Sequence, residues 1–540
     1  MTSSAPHTVR DAFFDVLRRY DLTKIFANPG STEISLLANL PADIDFTLAL
    51  HEGSVVGMAT GYALARQKAA MVVVHTTAGL GNAVSAIATA RANRAPLVIV
   101  VGQQDRRHLA TEPFLAGKLA GLAGDYPVWF NEPVTPHDVP AAVARAYHEA
   151  TTRRGPAIVV VPMDDWLTEY PAERVFPAPE IAVLSGEPSV ATVAAIVQHI
   201  DAAKNPVIIS GAANSTAEGW AALVRLAERT QAPVFQESFA GQAGFPQDHA
   251  LFAGFLSAAR SVLRTQLADF DTVIAVGAPV FRQYNFEPGA MLSPGTAVIV
   301  VTNDSDEALR SAATLSVLGD IPATIAEVAD TVRAVAKTRA VVPPRRPAPP
   351  APKAGEPLRA SHVMAALAEL LPANAIVVEE TPSSRPDLHE LLPARQPLGF
   401  VSAAMGGLGF GLPAAIGLRM GAPERPTIAI LGDGSSMYSI QGLWSARHYG
   451  VGALFIILNN GRYAVMDRLA ERISSGEPAW PPFDEIDFAD LSRSLGVSTT
   501  RLSDYASMRQ TLDEVIPSLA ARNEPLMLVI DVEPELHFAP

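Results

Sequence analysis

Short runs of apolar residues alternate along the chain with longer segments whose apolar positions recur at helical spacing. The runs are rich in Val, Ile and Leu and occupy residues 47–50, 71–74, 97–101, 157–161, 207–209, 273–276, 297–301, 375–378, 428–431, 453–458 and 526–530. Continuous apolar strands joined by helical segments are typical of parallel sheets that are covered on both faces. The pattern predicts an α/β protein built of three doubly wound domains with mostly parallel sheets.

Proline-rich stretches divide the pattern into segments. Residues 342–352 contain too many prolines for a helix or a central strand, so we expect a proline-rich linker over residues 339–357. A second interruption falls between about residues 170 and 187. The expected domains therefore cover residues 1–180, 188–338 and 358–540, each of ordinary domain size.

The composition excludes several classes of protein. The chain has 540 residues, a net charge of −14 and no long basic run, which argues against a nucleic-acid partner. The absence of cysteine excludes disulfides, thiolate catalysis and cysteine-ligated metals. The polar N-terminus carries no signal-peptide pattern, and no apolar stretch reaches the roughly 18 to 20 residues of a membrane span. We expect a cytoplasmic protein with no membrane partner.

The strongest chemical signal is a pair of short motifs at the ends of two successive apolar runs. Gly432-Asp433-Gly434 follows the run 428–431, and Asn459-Asn460 follows the run 453–458. The 24 residues between them, 435–458, have room for one crossover helix. An Asp and an Asn are thus expected at neighbouring strand tips, the edge where doubly wound sheets bind ligands. Their oxygen atoms suit Mg²⁺ or Ca²⁺ bridging phosphates; the alternative is a tight turn that happens to carry Asp.

Three polar residues follow strand runs in the first segment. Ser31 ends the turn Asn28-Pro29-Gly30-Ser31 and either points into a cleft or caps a helix. Glu52 precedes a helix rich in small residues and is either a partly buried acid or an acid favoured by the helix dipole. His75 ends the run 71–74 before a glycine-containing turn, a position suited to acid–base chemistry; the alternative is a core histidine.

A glycine-rich turn around Leu408 leads into a helix at residues 405–417. Glycines on both sides of Leu408 would let the backbone approach a flat ligand closely. The alternatives are a nucleotide-binding loop and plain helix packing, but the glycine spacing does not match the dinucleotide fingerprint.

Together these motifs resemble those of thiamine-diphosphate-dependent 2-oxo acid decarboxylases, and especially the benzoylformate decarboxylase branch. The resemblance covers essentially the whole chain. It rests on six pieces in the family's order: Asn28-Pro29-Gly30-Ser31, Leu48-Ala49-Leu50-His51-Glu52, residues 75–82, residues 277–281, Gly406-Gly407-Leu408-Gly409-Phe410 and the Gly432-Asp433-Gly434 motif with Asn459-Asn460.

The resemblance implies an architecture and an activity. The three segments would be a pyrimidine-binding domain, a central bridging domain and a diphosphate- and Mg-binding domain. The cofactors would be thiamine diphosphate and Mg²⁺ (or Ca²⁺). The reaction would convert a 2-oxo acid of the benzoylformate type to an aldehyde and CO₂, with carboligation as a side activity. The assembly would be a homodimer or homotetramer whose active site lies between subunits.

The resemblance also implies residue roles. Glu52 would hydrogen-bond the aminopyrimidine ring, and Leu408 would support the bent cofactor from below. The Asp433 and Asn460 side chains and the Arg462 main-chain carbonyl would hold the metal. Further cofactor contacts are implied for Gly407, Gly432, Gly434, Ser435 and Tyr463. Ser31, His75 and Tyr284 would act on the substrate.

The chain departs from the branch at three positions in the substrate pocket. Tyr284 aligns with a second active-site histidine, and a phenol with a pKa near 10 is a poorer proton donor at neutral pH than an imidazole. Val465 and Leu469 align with a small residue and an aromatic one. An alternative function is therefore a carbon–carbon ligase or lyase similar to acetohydroxyacid synthase or 2-hydroxyacyl-CoA lyase. The sequence does not identify the 2-oxo acid.

Overall fold

The protein folds around three six-stranded sheets, and in each of them every neighbouring pair of strands is parallel. The computed structural model describes residues 7–171, 179, 186–335, 342, 345–353, 355–473 and 478–534. Helices cover the sheets, so the predicted α/β class with parallel sheets is confirmed. Much of the predicted boundary near residues 170–187, and residues 336–341, 343, 344 and 354 of the region around the linker, lie outside the described residues.

The first sheet has the strand order β2-β1-β3-β4-β6-β5. Its strands are β1 Lys24–Asn28, β2 Asp45–Leu48, β3 Ala70–Val74, β4 Leu97–Gln103, β5 Trp129–Asn131 and β6 Pro156–Pro162. The accompanying helices are α1 Val9–Arg19, α2 Ile34–Leu37, α3 Glu52–Arg66, α4 Thr76–Ala92 and α5 Val139–Arg153. The strands β3, β4 and β6 are buried along their whole length, which is why they appear in the sequence as uninterrupted apolar runs.

The middle sheet has the strand order β12-β11-β10-β7-β8-β9. Its strands are β7 Pro206–Ser210, β8 Val234–Gln236, β9 Phe252–Phe255, β10 Thr272–Val276, β11 Ala297–Thr302 and β12 Leu315–Leu318. Its helices are α6 Val190–Ala202, α7 Ala217–Thr230, α8 Arg260–Gln266, α9 Ser305–Arg310 and α10 Ile321–Thr331. Renumbered within the sheet and read from β9, the order is 3-2-1-4-5-6, that of a Rossmann-type sheet.

The third sheet has the strand order β14-β13-β15-β16-β18-β17. Its strands are β13 Ile376–Glu380, β14 Phe400–Ser402, β15 Thr427–Gly432, β16 Leu454–Asn459, β17 Ser498–Leu502 and β18 Leu526–Asp531. Its helices are α11 Ala360–Leu370, α12 Arg385–Leu391, α13 Gly411–Gly421, α14 Asp433–Ser436, α15 Gly442–His448, α16 Ala464–Ile473, α17 Phe488–Ser494 and α18 Tyr505–Val515. Subtracting twelve from each number gives 2-1-3-4-6-5, the order of the first sheet.

Two features differ from the sequence-based expectation. The segment between Gly434 and Asn459 contains the end of a helical turn, α14, which begins at Asp433, and a separate short helix, α15, instead of one crossover helix. The strands that the sequence does not reveal are mostly sheet edges, such as β9 and β17, and the exposed positions of β17 break its apolar pattern. Residues 345–353 form neither helix nor strand.

The first and third sheets are joined within the chain by a close crossing of α3 and α13. A Cβ atom on Gly61 would lie 2.1 Å from the Ala414 carbonyl oxygen, and one on Gly417 would lie 1.8 Å from the Met58 carbonyl oxygen. The two backbones are therefore in direct contact, which only glycine permits. Among the helices in the described ranges, none combines the length and the hydrophobicity needed to cross a membrane.

Candidate active site

The carboxyl edge of the first sheet brings two of the predicted catalytic residues together. His75 follows β3 and precedes α4, while Ser31 opens a 3₁₀ turn after β1. Gly30, the neighbour of Ser31, packs flat against the imidazole, because a Cβ atom there would lie 2.4 Å from the His75 ring. Ser31 is exposed, so its hydroxyl is free to meet a ligand at this edge.

A buried carboxylate that the sequence analysis did not single out orients His75. Glu33 is 1% exposed, and its Oε2 lies 3.1 Å from the His75 Nδ1. The same oxygen accepts a hydrogen bond from the Gly30 N–H at 2.7 Å, and the Thr32 hydroxyl lies 3.0 Å from the His75 Nδ1. These contacts fix the ring plane and leave the Nε2 side as the one that can face a ligand. The separation of 42 residues between Glu33 and His75 hides this pair from a motif search.

Glu52 is the first residue of α3 and is 9% exposed. Its Oε2 accepts a hydrogen bond from the Asn82 Nδ2 of α4 at 3.1 Å. Both sequence-based alternatives therefore describe it: it is a mostly buried acid and also the first acidic residue of a helix. Its carboxylate belongs to the same sheet edge as His75, since α4 starts directly after that histidine.

The carboxyl edge of the third sheet carries the predicted diphosphate and metal residues. Asp433 follows β15 and is 3% exposed. Its Oδ2 accepts hydrogen bonds from the Asn460 N–H at 2.7 Å and the Gly461 N–H at 2.6 Å, and its Oδ1 accepts one from the Gly434 N–H at 2.7 Å. The Asn460 Oδ1 accepts the Arg462 N–H at 3.1 Å. The two motifs thus meet at neighbouring strand tips, as the sequence predicted.

The donor set at this edge fits a divalent cation held with a diphosphate. Burial raises the pKa of Asp433, although hydrogen bonds from four backbone N–H groups oppose that shift. No side-chain cation pairs with Asp433 within the described ranges, so a metal ion would supply the missing positive charge. The described residues contain no cluster of three or more His, Cys, Asp or Glu side chains that could hold a metal. Mg²⁺ commonly uses only one or two protein carboxylates and completes its shell with phosphate and water.

The remaining predicted cofactor residues surround the same turn. The Ser435 hydroxyl donates to the Glu380 carbonyl oxygen at 2.8 Å, which ties the turn after Gly432 to the tip of β13. A Cβ atom on Gly434 would lie 2.5 Å from the Tyr463 ring, and that ring packs edge-on against Phe483 with centroids 5.0 Å apart. Gly434 is therefore required for the close approach of the aromatic ring.

A large cavity of about 1350 Å³ opens beside the glycine-rich turn. Ligand pockets usually enclose about 300–1,000 Å³, so this one has room for more than a small 2-oxo acid. Gly407 and Leu408 line it together with Val465 and Leu469, two of the three positions that depart from the benzoylformate branch. Tyr284 also lines it and is 58% exposed. Its position puts the phenol at the cavity wall.

The far wall of the cavity is formed by β9 and by α12. Phe255 of β9 stacks on His389 of α12, with ring centroids 3.8 Å apart. Burial lowers the pKa of His389 to about 3, so this imidazole is neutral under all ordinary conditions. The pair links the middle sheet to the third one and presents flat, uncharged rings to the cavity.

The two predicted halves of the site do not share this cavity within one chain. Of the described residues that line it, none precedes Asn205, so Ser31, Glu52 and His75 lie outside it. Each of the two sheet edges also exposes large apolar side chains. On the first edge these are Ile34, Leu50 and Phe114, and on the third they are Met405, Met437, Tyr438, Tyr463 and Met466.

Comparisons with known proteins place all three sheets in one family. Residues 7–119 match the thiamine pyrophosphate enzyme N-terminal TPP binding domain, residues 193–328 the central domain, and residues 383–532 the C-terminal TPP binding domain. Benzoylformate decarboxylase from Pseudomonas aeruginosa is 36% identical over 529 residues, which cover 97% of this chain and 99% of the relative. A putative acetolactate synthase large subunit from Mycobacterium tuberculosis is 28% identical, covering 94% and 95% of the two chains.

Solved structures agree with this placement. The 4-hydroxybenzoylformate decarboxylase of Rhodococcus jostii RHA1 superposes with a TM-score of 0.91 at 32% identity, covering 98% of this chain and 99% of the other. Benzoylformate decarboxylase from Polynucleobacter necessarius gives a TM-score of 0.92 at 31% identity, with the same coverage. The chain therefore belongs to the thiamine-diphosphate-dependent enzyme family and is a carboxy-lyase similar to benzoylformate decarboxylase.

Proposed function

We propose that the protein decarboxylates an aromatic 2-oxo acid of the benzoylformate class to an aldehyde and CO₂, with thiamine diphosphate and Mg²⁺. The observation that carries the proposal is the presence of two complementary sheet edges: one holds Glu52 and the Glu33–His75 pair, and the other holds Asp433, Asn460 and the Leu408 turn. The names of the similar decarboxylases support the aromatic substrate class. In this scheme residues 1–180, 188–338 and 358–540 are the pyrimidine-binding, bridging and diphosphate-binding domains.

Each residue has a specific task in this reaction. When bound, thiamine diphosphate supplies an electron sink for the negative charge left as CO₂ departs. Asp433, Asn460 and the Arg462 carbonyl would hold Mg²⁺ with the diphosphate, and Ser435 and the neighbouring glycines would leave room for it. Glu52 would hydrogen-bond the pyrimidine ring, and Leu408 would support the cofactor. These contacts bind and orient the cofactor.

The first sheet edge handles the substrate. The exposed Ser31 hydroxyl donates to the substrate carboxylate, and the His75 Nε2 moves a proton to or from the reacting carbon. Glu33 keeps the imidazole in the orientation that this transfer requires, because the Glu33 Oε2 accepts a hydrogen bond from the His75 Nδ1. Val465 and Leu469 are aliphatic, so they would contact the substrate side chain without contributing charge, while the charged residues of the cavity wall are Asp269, Arg345, Arg346, Glu380, Arg385 and Glu390.

A direct assay tests the proposal. The purified chain is loaded with thiamine diphosphate and Mg²⁺ and supplied with benzoylformate, 4-hydroxybenzoylformate and aliphatic 2-oxo acids, and CO₂ and aldehyde are measured. We expect the aromatic substrates to have the highest kcat/KM. A preference for pyruvate or another short aliphatic acid would contradict the substrate class, and a lack of CO₂ release from every acid would contradict the reaction.

Carbon–carbon ligation is a second candidate activity. Two features support it: the presence of Tyr284 and the volume of the cavity. A phenol donates a proton slowly at neutral pH, so an acceptor aldehyde could capture the reacting carbon before it is protonated. A cavity of about 1350 Å³ has room for both molecules. Tyr284→His is expected to lower the ratio of ligated product to free aldehyde and to introduce a pH dependence near neutrality. An unchanged ratio and pH profile would place Tyr284 away from the reacting carbon.

We also propose that the active unit is a homodimer, or a homotetramer built from it, with each site formed by the first edge of one chain and the third edge of another. The exposed apolar side chains on both edges support this arrangement, because large exposed apolar patches mark interaction surfaces. Light scattering at assay concentration provides the test. An active monomer would contradict the proposal.

A further inference from the structure

The loop that carries Leu408 has no regular structure of its own. Residues 403–410, called here the prop loop, connect the end of β14 to the start of α13. Gly406 and Gly409 have positive φ angles of 71° and 92°, so the backbone turns sharply on both sides of Leu408. Leu408 is only half-buried, so packing of its own side chain does not define the loop conformation. The loop must be held by groups outside it.

The N-terminal half of the prop loop is held from the first and middle sheets. The Asn93 amide at the end of α4 donates to the Ser402 carbonyl at 2.7 Å and accepts the Ala404 N–H at 2.9 Å. The Arg282 guanidinium donates to the Ala404 carbonyl at 3.1 Å. These contacts end at Ala404, four residues before Leu408.

The C-terminal half is held by one carboxylate. Glu380, at the tip of β13, accepts the Gly409 N–H at Oε1 with a distance of 2.6 Å and the Gly411 N–H at Oε2. Its own carbonyl accepts the Ser435 hydroxyl at 2.8 Å. Glu380 is 4% exposed, and burial raises its pKa to about 7 even though the two glycine N–H groups favour the charged form. The side chain thus connects the prop loop to the turn that carries Asp433.

We propose that Glu380 is the positioning residue for Leu408: its two carboxylate oxygens fix the backbone directly after Leu408 and set the height of that side chain above the third sheet edge. The inference rests on the proposed role of Leu408 as the support beneath the cofactor. Glu380 itself contacts backbone N–H groups and acts on the reaction only through Leu408.

Glutamine is an informative substitute because it keeps the size and removes one acceptor. In Glu380→Gln one amide oxygen still accepts a glycine N–H, but the NH₂ group faces the other N–H, donor against donor. One buried N–H then loses its partner, and the loop must move away to find another. Glu380→Ala removes both acceptors.

Hydrogen exchange on the full-length, cofactor-free protein tests the contact itself. We expect the Gly409 and Gly411 amides to exchange at least about tenfold faster in Glu380→Gln than in the parent, with distant amides unchanged. Asp271→Asn is the matched control, since the Asp271 carboxylate also accepts two backbone N–H groups, from Lys204 at 2.8 Å and from Asn205 at 3.1 Å, and both donors lie outside the prop loop. If the Gly409 and Gly411 amides exchange at the parental rate in both Glu380→Gln and Glu380→Ala, the inference is overturned.

A double-mutant cycle with Leu408→Ala tests the functional link in the loaded enzyme. If Glu380 acts through Leu408, then Glu380→Gln should lower kcat about tenfold or more in the parent and far less in the Leu408→Ala background. Losses that multiply in the double variant would show that Glu380 acts independently of Leu408, and would overturn the inference. Parental turnover in Leu408→Ala alone would instead contradict the proposed role of Leu408, and an inactive parent would contradict the proposed function.

Discussion

The first and third sheets share the strand order 2-1-3-4-6-5, yet their carboxyl edges carry different chemistry. Strand 3 of the first sheet, β3, is followed by His75, and strand 3 of the third sheet, β15, is followed by Asp433. Strand 1 of the first sheet, β1, is followed by Ser31 and the buried Glu33, whereas strand 1 of the third sheet, β13, ends at Glu380, whose carboxylate accepts backbone N–H groups. The first edge thus carries an imidazole paired with a carboxylate, whereas the third edge carries carboxylate and amide oxygens that accept backbone N–H groups.

The difference shows how one architecture can serve two tasks. The strands and covering helices of both sheets are alike because the same buried parallel sheet must be built. The residues directly after the strands contribute little to that core and are free to differ. We propose that a site is completed when the first edge of one chain, with Glu52 and His75, meets the third edge of another, with Asp433 and Asn460.

The largest expected effect comes from removing Asp433, the proposed metal ligand of the third edge. Asp433→Ala should weaken the binding of Mg²⁺ and thiamine diphosphate by more than about 100-fold, since even residues that only orient metal ligands contribute 10- to 100-fold. Calorimetric titration measures the loss, with the surface variant Asp513→Ala as control. Parental affinity in Asp433→Ala would end the assignment of the third edge as the metal site.

The second effect concerns Glu52 at the first edge. Changing it should remove activity while the cofactor still binds, unlike the change of Asp433 at the third edge. Glu52→Gln should lower kcat by roughly 100- to 10,000-fold, the usual range for a proton-transferring residue, while the affinity for thiamine diphosphate falls much less. The melting temperature of the cofactor-free protein should stay within a few degrees of the parent. Near-parental turnover would remove Glu52 from the reaction.

The third effect concerns the buried pair at the first edge. Glu33→Gln should lower kcat by about 10- to 100-fold because the His75 ring is no longer held in one orientation. Nitrogen chemical shifts of the imidazole report its tautomer and should change in the variant. The exposed Glu112→Gln serves as control. If turnover and the imidazole signals both match the parent, Glu33 has only a packing role.

The smallest effect concerns the middle sheet, whose carboxyl edge can be compared with those of the first and third sheets. Burial raises the pKa of Glu237 from 4.5 to about 7, against the opposing charge of Arg282. The native state therefore binds this proton more tightly than the unfolded state, and the associated stability is present below about pH 4.5 and is lost as the pH rises through 7. The loss is about 3 kcal/mol at most, from 1.36 kcal/mol per pKa unit.

Melting curves between pH 5 and 8 provide the check. Glu237→Gln should flatten the pH dependence of the melting temperature relative to the parent, because glutamine has no proton to lose. An identical slope in both proteins would mean that Glu237 keeps an ordinary pKa in the folded chain.

The sequence predicted the parallel sheets and the meeting of Asp433 with Asn460, since both follow from local patterns. A buried parallel strand must be apolar, and motifs at the ends of adjacent strands must come close. The role of Glu33 and that of Glu380 did not follow, because their partners are His75 and two glycine N–H groups far away in the sequence. The edge strands β9 and β17 were missed for a related reason: short or exposed strands have no distinctive apolar run.

Subunit complementation tests the central claim most directly. Glu52→Gln and Asp433→Ala chains, each inactive alone, are co-expressed with different tags, and mixed dimers are isolated and assayed with thiamine diphosphate and Mg²⁺. In a mixed dimer, one of the two sites combines an intact first edge with an intact third edge if the edges come from different chains. We predict that the isolated mixed dimers recover about half of the parental activity. Mixed dimers as inactive as the two single variants would show that each site is built within one chain and would contradict the account.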